Sequence, residues 1–349
     1  MSGRDRDLVL ALETSCDETA AAVVAGGRTI LSSVVSSQVA LHERFGGVVP
    51  EIAGRAHVEQ VVPVVARALA EAGFDPTGRP RPGAGPTGGI GVVAATSGPG
   101  LVGALLVGVS FAKALALAWG ATFVGVNHLE GHLYASLLEE PGMAMPVVVL
   151  LVSGGHTLLV AMYGPGSYRV LGRTVDDAAG EAFDKVARFL DLGYPGGPAV
   201  ERAARSGDPH SLALPRPMLD DGLDMSFSGL KTAVVQLVTR RPDLSTPDVA
   251  ASFQEAAVDV LVHKVLAAAH ATGARGICLA GGVAANTRLR ERTREAAGAA
   301  GLPVYLPSRS MCTDNAAMIA AAGHVRLAAD GPSPMDVGAE PSARFPERS

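Results

Sequence analysis

Positive charge is in short supply. Lys and Arg number 29 against 34 Asp and Glu, a net charge of −5. No global positive field draws in nucleic acid, so such a partner needs a local basic patch or a basic helper protein. Cysteine is scarce too. Cys16, Cys278 and Cys312 are too few and too scattered for a disulfide framework, which fits a reducing cytoplasm. Aromatics reach only 4%. The opening MSGRDRD carries mixed charges and the apolar run after it is short, unlike a signal peptide. One apolar run, LVGALLVGVSFAKALALAW (101–119), is long enough for a membrane span. Its Lys113, its Gly, Ala and Ser content, and the SGPG turn before it favour a tightly packed central helix instead, and no membrane partner is expected.

What the chain does contain is small aliphatics and turns. Apolar residues make up 48% of 349 residues, with 42 Gly and 23 Pro, enough for about two α/β domains with sizeable cores. LVLALET (8–14) reads as a buried strand, followed by CDET and a returning strand AAAVVA. GGVVPEIAGRAHVEQVVPVVARALAEAG is mostly helical, with a heptad-like apolar face. Residues 75–91, DPTGRPRPGAGPTGGIG, lack periodicity and read as a flexible surface loop. PVVVLLVSGGHTLLVAMYG (146–164) repeats the strand–turn–strand plan, a weak internal duplication. GICLAGGVAANTRLRER (276–292) is strand, double glycine and helix, with Asn286 and Thr287 offering caps. Residues 331–349 are Pro- and Ser-rich and read as a frayed tail.

The chemistry starts at VNHLEGHLYA (126–135). On a helix His128 and His132 lie about 40° apart around the axis and share a face, while Glu130 sits about 200° from His128. A zincin needs H-E-x-x-H, with the glutamate directly after the first histidine. Here the order is H-L-E-G-H, which disfavours a peptidase. Two histidines packing or capping a helix remain the plain alternative. Asp314, in RSMCTDNAAMIAA, is a candidate third ligand, with helix N-capping as its competing role. Two imidazoles and one carboxylate form a facial set that suits non-haem iron(II) and that zinc also accepts.

LVSGGHT (151–157) and LAGGVAAN (279–286) place bare backbone N–H groups after apolar strands, where phosphate or carboxylate oxygens can approach. Ordinary turns explain either one alone. In TVDDAAGEAFDKVARFLDLGYPGGPAVE (174–201), Asp177, Glu181 and Asp184 occupy neighbouring helical faces. Glu181–Lys185 is an i,i+4 pair, and Asp184 suits a ribose. RLRERTRE (288–295) reads as a salt-bridged exposed helix face. Asp17 and Glu18 follow the first strand, as turn caps or as groups managing a metal or a proton. Cys16 has no histidine beside it in sequence and reads as structural.

Taken together and in order, ETSCDET, SSQVALHERFGGVVPEIAGRAH, SGPGLVGALLVG, NHLEGHLYA, LLVSGGHT, DDAAGEAFDK, YPGGP, MSFSGLKTA, AGGVAAN and CTDNAAMIA closely resemble the bacterial tRNA N6-adenosine threonylcarbamoyltransferase family, TsaD, over nearly all of residues 8–325. The insertion at 75–91 and the tail depart from the family pattern without touching a motif. The resemblance implies an actin-like, sugar-kinase-like α/β fold of two ribonuclease-H-like domains with a cleft between them, divided as 1–127 plus 315–349 and 128–314. It implies a cytoplasmic enzyme that transfers threonylcarbamoyl from threonylcarbamoyl-AMP to N6 of the adenosine beside the anticodon, in tRNAs reading codons that begin with A. By motif match, His128, His132 and Asp314 hold the metal, iron(II) in preference to zinc. Leu151, Val152, Ser153, Gly154, Gly155, Asp184, Gly197, Glu201 and Asn286 bind the adenylate. Expected partners are tRNA, a paralogue without the metal site (TsaB-like) and a small P-loop ATPase (TsaE-like). No catalytic base is assigned. An actin-like ATPase without transfer chemistry and a metallopeptidase are the rival readings.

Overall fold

The computed structural model describes residues 8–83 and 88–347. The MSGRDRD start, residues 84–87 of the 75–91 insertion and the last two residues of the tail lie outside the described residues. The chain divides into two compact units, 1–139 with 314–346, and 140–313 with the last three residues. The sequence reading drew its boundaries at 127/128 and 314/315. The contacts instead keep residues 128–139 and Asp314 with the first unit.

The first unit is built on a five-stranded mixed sheet of order β3-β2-β1-β4-β5. Its strands are β1 (Leu8–Glu13), β2 (Glu18–Ala25), β3 (Thr29–Ser37), β4 (Val92–Gly98) and β5 (Thr122–Asn127). β1 pairs antiparallel with β2 and parallel with β4, and β4 pairs parallel with β5. β3 escaped the sequence reading because TILSSVVSS sets serines on both faces of an edge strand, Ser32 buried and Ser33 exposed, which blurs the alternation. After α1 (Val39–His42), α2 (Pro50–Glu71) and α3 (Val102–Trp119) cover one face. Leu8, Leu10 and Leu12 of β1 pack there with Val61, Val65 and Leu69 of α2 and with Val109 and Ala112 of α3. The apolar stripe of α2 predicted from sequence is the stripe that is buried.

α3 is not the buried central helix that its composition suggested. Leu106 is 49% exposed and Leu117 78%. Only one side of α3 meets the sheet and α2, so half of an all-round apolar helix faces outward. By length and composition alone α3 is long and apolar enough to cross a membrane. β5 runs directly into α4 (His128–Glu139).

The described part of the insertion is folded rather than loose. Asp75 Oδ1 accepts hydrogen bonds from the Thr77 and Arg79 backbone, the Phe74–Pro80 bridge closes the turn, and Ile90 N–H donates to Gly78 O. Gly78, at φ +73°, lies against the Trp119 ring with no room for a Cβ.

The second unit repeats the plan. β6 (Val147–Val152), β7 (Thr157–Gly164) and β8 (Ser167–Arg173) form an antiparallel meander. α5 (Ala179–Phe189), α6 (Gly196–Ala204), α7 (Ser228–Arg240) and α8 (Thr246–Thr272) follow. Then come β9 (Ile277–Ala280), α9 (Thr287–Ala299), β10 (Val304–Tyr305) and α10 (Arg309–Cys312). The order β10-β9-β6-β7-β8, with β6, β9 and β10 parallel, matches the first sheet strand for strand. The duplication that was faint in sequence is explicit in topology. The core of this unit joins β6 and β9 to α5 and α8, with Phe183 and Phe253 in edge contact at 5.0 Å.

The chain returns to the first unit as α11 (Ala316–Asp330), on the sheet face opposite α2 and α3. Gly323 permits this approach, since a Cβ there would lie 2.9 Å from that of Ala94. The expected frayed tail is corrected over 331–347. Ser333 bonds the Phe123 carbonyl and the Gly125 N–H, and Val337 O accepts from Lys113 Nζ. Glu340 N–H donates to Ser97 O, Pro341 O accepts from Gly100 N–H, and Arg344 O accepts from Asn127 Nδ2. A Pro- and Ser-rich segment without regular structure is held here by satisfying backbone groups along the edge of β5 and at the end of β4.

Candidate metal centre and glycine turns

The parallel strands β1, β4 and β5 deliver Glu13, Thr96 and His128 to one end of the first sheet, the end where such folds place ligands. Asn127 closes β5 and starts α4, its Oδ1 accepting from the N–H groups of Leu129 and Glu130. One helical turn then separates His128 from His132, whose rings meet edge to face with centroids 4.8 Å apart. Asp314 arrives just before α11. It is not the N-cap, because the Asn315 side chain takes that role by accepting from Met318 N–H. The carboxylate is therefore left for the histidines: Oδ1 lies 3.5 Å from His128 Nε2 and 3.2 Å from His132 Nε2.

All three ligand atoms lie within 4.8 Å of one another. Metal–ligand bonds of about 2.1 Å at angles of 90–109° separate neighbouring ligand atoms by about 3.0–3.4 Å, so Asp314 Oδ1 stands close to bridging distance from each imidazole. His132 is fully buried, and neither of its ring nitrogens makes a hydrogen bond to another described residue. A buried imidazole lacking such bonds at both nitrogens is costly unless something else binds it. On these grounds the three residues fit a divalent metal ion.

Electrostatics agree. Burial works against charge on His128, but Asp314 and Glu13 outweigh it and raise the imidazole to about 9. Burial works against Asp314 as well, yet His128 and His132 hold its carboxyl down to about 2. Glu13 is wholly buried and still held below the ordinary glutamate value by His128. Glu130 takes no part in the cluster, and its Oε2 lies 3.4 Å from Arg326 Nη1 on α11. Burial, Asp314 and Asp17 push Glu18 up to about 9. Burial and the neighbouring carboxylates push the Cys16 thiol far up, so Cys16 is no thiolate nucleophile.

In the second unit, Leu151 on β6 pairs with Ala280 on β9, so the turns after both strands lie side by side. Added Cβ atoms on Gly154, Gly155 and Gly282 would meet nothing within 4 Å. Gly281 is different: at φ +86° its Cβ would strike Val152 O at 2.5 Å, so it serves the packing of the two turns. Gly180, in the first turn of α5, lies against Ser153 and Gly154, leaving no space for a Cβ. Asp184 Oδ1 accepts from Gly196 N–H and ties α5 to α6. Beyond these turns a cavity of about 500 Å³ is lined by Glu201, Arg205, Gln254, Glu255, Thr287 and Arg288, among others.

The family model described as TsaD: tRNA N6-adenosine threonylcarbamoyltransferase matches residues 29–321. The chain belongs to the TsaD family. A relative of that name from Symbiobacterium thermophilum is 53% identical over 344 residues, covering 98% of each chain. One from Anaeromyxobacter dehalogenans is 54% identical over 343 residues, covering 97% of this chain and 99% of the other. Among solved structures, HypF from T. kodakarensis aligns with a TM-score of 0.63 at 15% identity, covering 92% of this chain and 48% of that one. Component A of the Acidaminococcus fermentans (R)-2-hydroxyglutaryl-CoA dehydratase aligns at 0.51 and 12% identity, covering 92% and 98%. These likenesses show an actin-like fold.

Within the TsaD frame, the structure brings His128, His132 and Asp314 together in the first unit. In the second, Leu151–Gly155 and Asn286 follow the neighbouring strands β6 and β9, Glu201 bonds Thr287 beside Asn286, and Asp184 bonds Gly196 beside Gly197. Asn286 acts as predicted, capping α9 through Leu289 N–H, and its Nδ2 also donates to Gln254 Oε1. Glu181 does pair with Lys185 at 2.7 Å, but Lys185 also joins Lys231 on Asp177, which lies in the turn before α5. The RLRERTRE segment differs from the exposed face expected. Arg288 and Arg292 reach across to Glu255 and Asp259 on α8, and Glu255 is buried. Sequence reasoning passed over Glu13 and Thr96, and took Thr287 only as a cap. The available signal was a carboxylate ending an otherwise apolar, fully buried strand.

Proposed function

We propose that this TsaD-family chain transfers threonylcarbamoyl from threonylcarbamoyl-AMP to N6 of the adenosine adjacent to the anticodon, in tRNAs that read codons beginning with A. The observation that carries the reading is the convergence of His128, His132 and Asp314 with Glu130 held by Arg326. A zincin peptidase needs a glutamate directly after the first histidine, where this chain has Leu129, and an actin-like ATPase has no use for the triad. His128, His132 and Asp314 would hold one divalent ion, iron(II) in preference to zinc because two imidazoles and a carboxylate leave positions open for substrate oxygens. When bound, the ion supplies Lewis-acid polarisation of the threonylcarbamoyl carbonyl.

The chain's own groups do the rest. The donor is a mixed anhydride, already activated, so no protein nucleophile is needed, in keeping with the raised Cys16 thiol. Attack by N6 forms the new C–N bond. The C–O bond to phosphate breaks, and AMP leaves with the electron pair. N–H groups of Ser153, Gly154 and Gly155 would hold that phosphate, with Leu151 and Val152 anchoring the turn on β6. Asp184, Gly197, Glu201 and Asn286 would bind the nucleoside, Glu201 from the wall of the 500 Å³ cavity. Asp17 or Glu18 would steer the amine proton. Burial, Asp314 and Asp17 push the Glu18 carboxyl up to about 9, so it holds a proton near neutral pH and can pass it on. The acceptor base sits in a single-stranded loop and is presented without opening a duplex.

A metal-site-lacking paralogue and a small P-loop ATPase would complete the cytoplasmic assembly, and tRNA docking to a chain of net charge −5 would depend on local arginines or on these partners. The test is mass spectrometry of nucleosides from unmodified tRNA incubated with the protein, these partners and threonylcarbamoyl-AMP. Threonylcarbamoyladenosine should form with the wild type and not with His132→Ala. Equal formation by both would refute the reading.

A further inference from the structure

The carboxylate of Glu13 sits fully buried behind His128. Its Oε1 accepts from Ser15 N–H at 2.5 Å. Its Oε2 accepts from Thr96 Oγ1 at 2.5 Å and lies 2.9 Å from His128 Nδ1. Every one of these contacts requires the carboxylate to accept. His128 must therefore carry a proton on Nδ1, which leaves Nε2, the nitrogen directed at Asp314, as the one to be bared for the ion. Ser15 Oγ lies 3.2 Å from the same Nδ1. The arrangement spans three strand ends, β1, β4 and β5, so the ring orientation is set by the sheet itself.

We propose that Glu13 is a positioning residue for the metal. It locks His128 in the Nδ1–H tautomer, increases the basicity of Nε2, and places a negative charge behind the cation, with Thr96 and Ser15 orienting the carboxylate. A purely structural Glu13 would only close the turn at residues 13–15. The inference rests on the triad holding a metal, as proposed above.

Glu13→Gln separates the two roles. Ser15 N–H retains the amide oxygen, which leaves the amide nitrogen facing His128 Nδ1. The amide then donates where the carboxylate accepted, and His128 is driven to the Nε2–H form that cannot ligate. Cobalt(II) affinity, measured by competition titration with the full-length protein, should fall about 10–100-fold. Thr96→Val should lower it in the same direction with a smaller loss. In zinc-loaded wild-type protein with ¹⁵N-labelled histidine, His128 should show a proton on Nδ1 and zinc on Nε2.

Folded Glu13→Gln protein that binds cobalt within twofold of wild type, or zinc on Nδ1 in the wild type, overturns the proposal. If Glu13→Gln fails to fold, Thr96→Val and the wild-type spectrum decide, and unchanged affinity in Thr96→Val counts against it. His132→Ala separates the levels. Loss of cobalt there with none in Glu13→Gln sinks this inference alone, whereas retention of cobalt in His132→Ala sinks the metal reading beneath it.

Discussion

Glu130 and Arg326 face each other across α4 and α11, carboxylate to guanidinium, at 3.4 Å. The pair gives the one acidic residue between the two histidines a cationic partner on α11. Glu130→Gln should therefore keep metal affinity within about twofold, and metal-loaded wild-type protein should cleave no peptide. Because the charge is buried with its partner, the variant should lose about 1–3 kcal/mol of stability. Metal titration, a peptidase assay and thermal melting check the three parts, and metal loss in Glu130→Gln would mean that Glu130 reaches the ion.

Metal binding should be coupled to proton release. Burial alone would lower His128, but Asp314 and Glu13 raise it to about 9. Ligation needs the neutral ring, so below about pH 9 the ion displaces a proton. Affinity should rise with pH, by up to about tenfold per unit, and level off above about 9. Calorimetry in buffers of different ionisation enthalpy should report about one proton released near pH 7. A flat profile from pH 6.5 to 9 would contradict the ring's environment.

Removing residues 332–349 should unsettle the first unit and its metal helix together. The segment supplies partners to Ser97, Gly100, Phe123, Gly125 and Asn127. At about 0.5–1.5 kcal/mol per hydrogen bond, its loss should lower the melting temperature by several degrees. Asn127→Ala should reproduce the weakening of metal affinity, because α4 loses a cap valued at about 1 kcal/mol. Unchanged melting and affinity in the truncated protein would show the contacts to be passive.

Glu201→Ala should act on the donor and leave the metal alone. Glu201 Oε1 accepts from Thr287 Oγ1 at 2.6 Å, on the wall of the cavity. The variant should raise KM for threonylcarbamoyl-AMP by about tenfold, in line with the loss of one or two polar contacts, while cobalt affinity stays at the wild-type value. A defect in metal binding, or an unchanged KM, would place the donor elsewhere.

Much of this was legible in local pattern. The i,i+4 spacing of His128 and His132, the misplaced Glu130, the Asn286 cap and the strand–turn–strand duplication all follow from helix and strand periods acting within a dozen residues. Three readings failed for a shared reason. The α3 helix, the 331–347 segment and Arg288 with Arg292 were judged by their own composition. Their state depends on what lies beside them: a sheet on only one side of α3, open backbone groups along the edge of β5 and at the end of β4, and buried Glu255 on α8.

The amino-acid sequence by itself determined which groups were available to bind a metal, which face of α4 carried them, and which glycine turns were bare. Tertiary structure alone decided that Asn315 caps α11 and so frees Asp314, and that Glu13 and Thr96 stand behind His128. Those contacts join residues far apart in the chain, Glu13 to His128 and Asp314 to His132. Strand order sets their distances, and no period along the sequence encodes it.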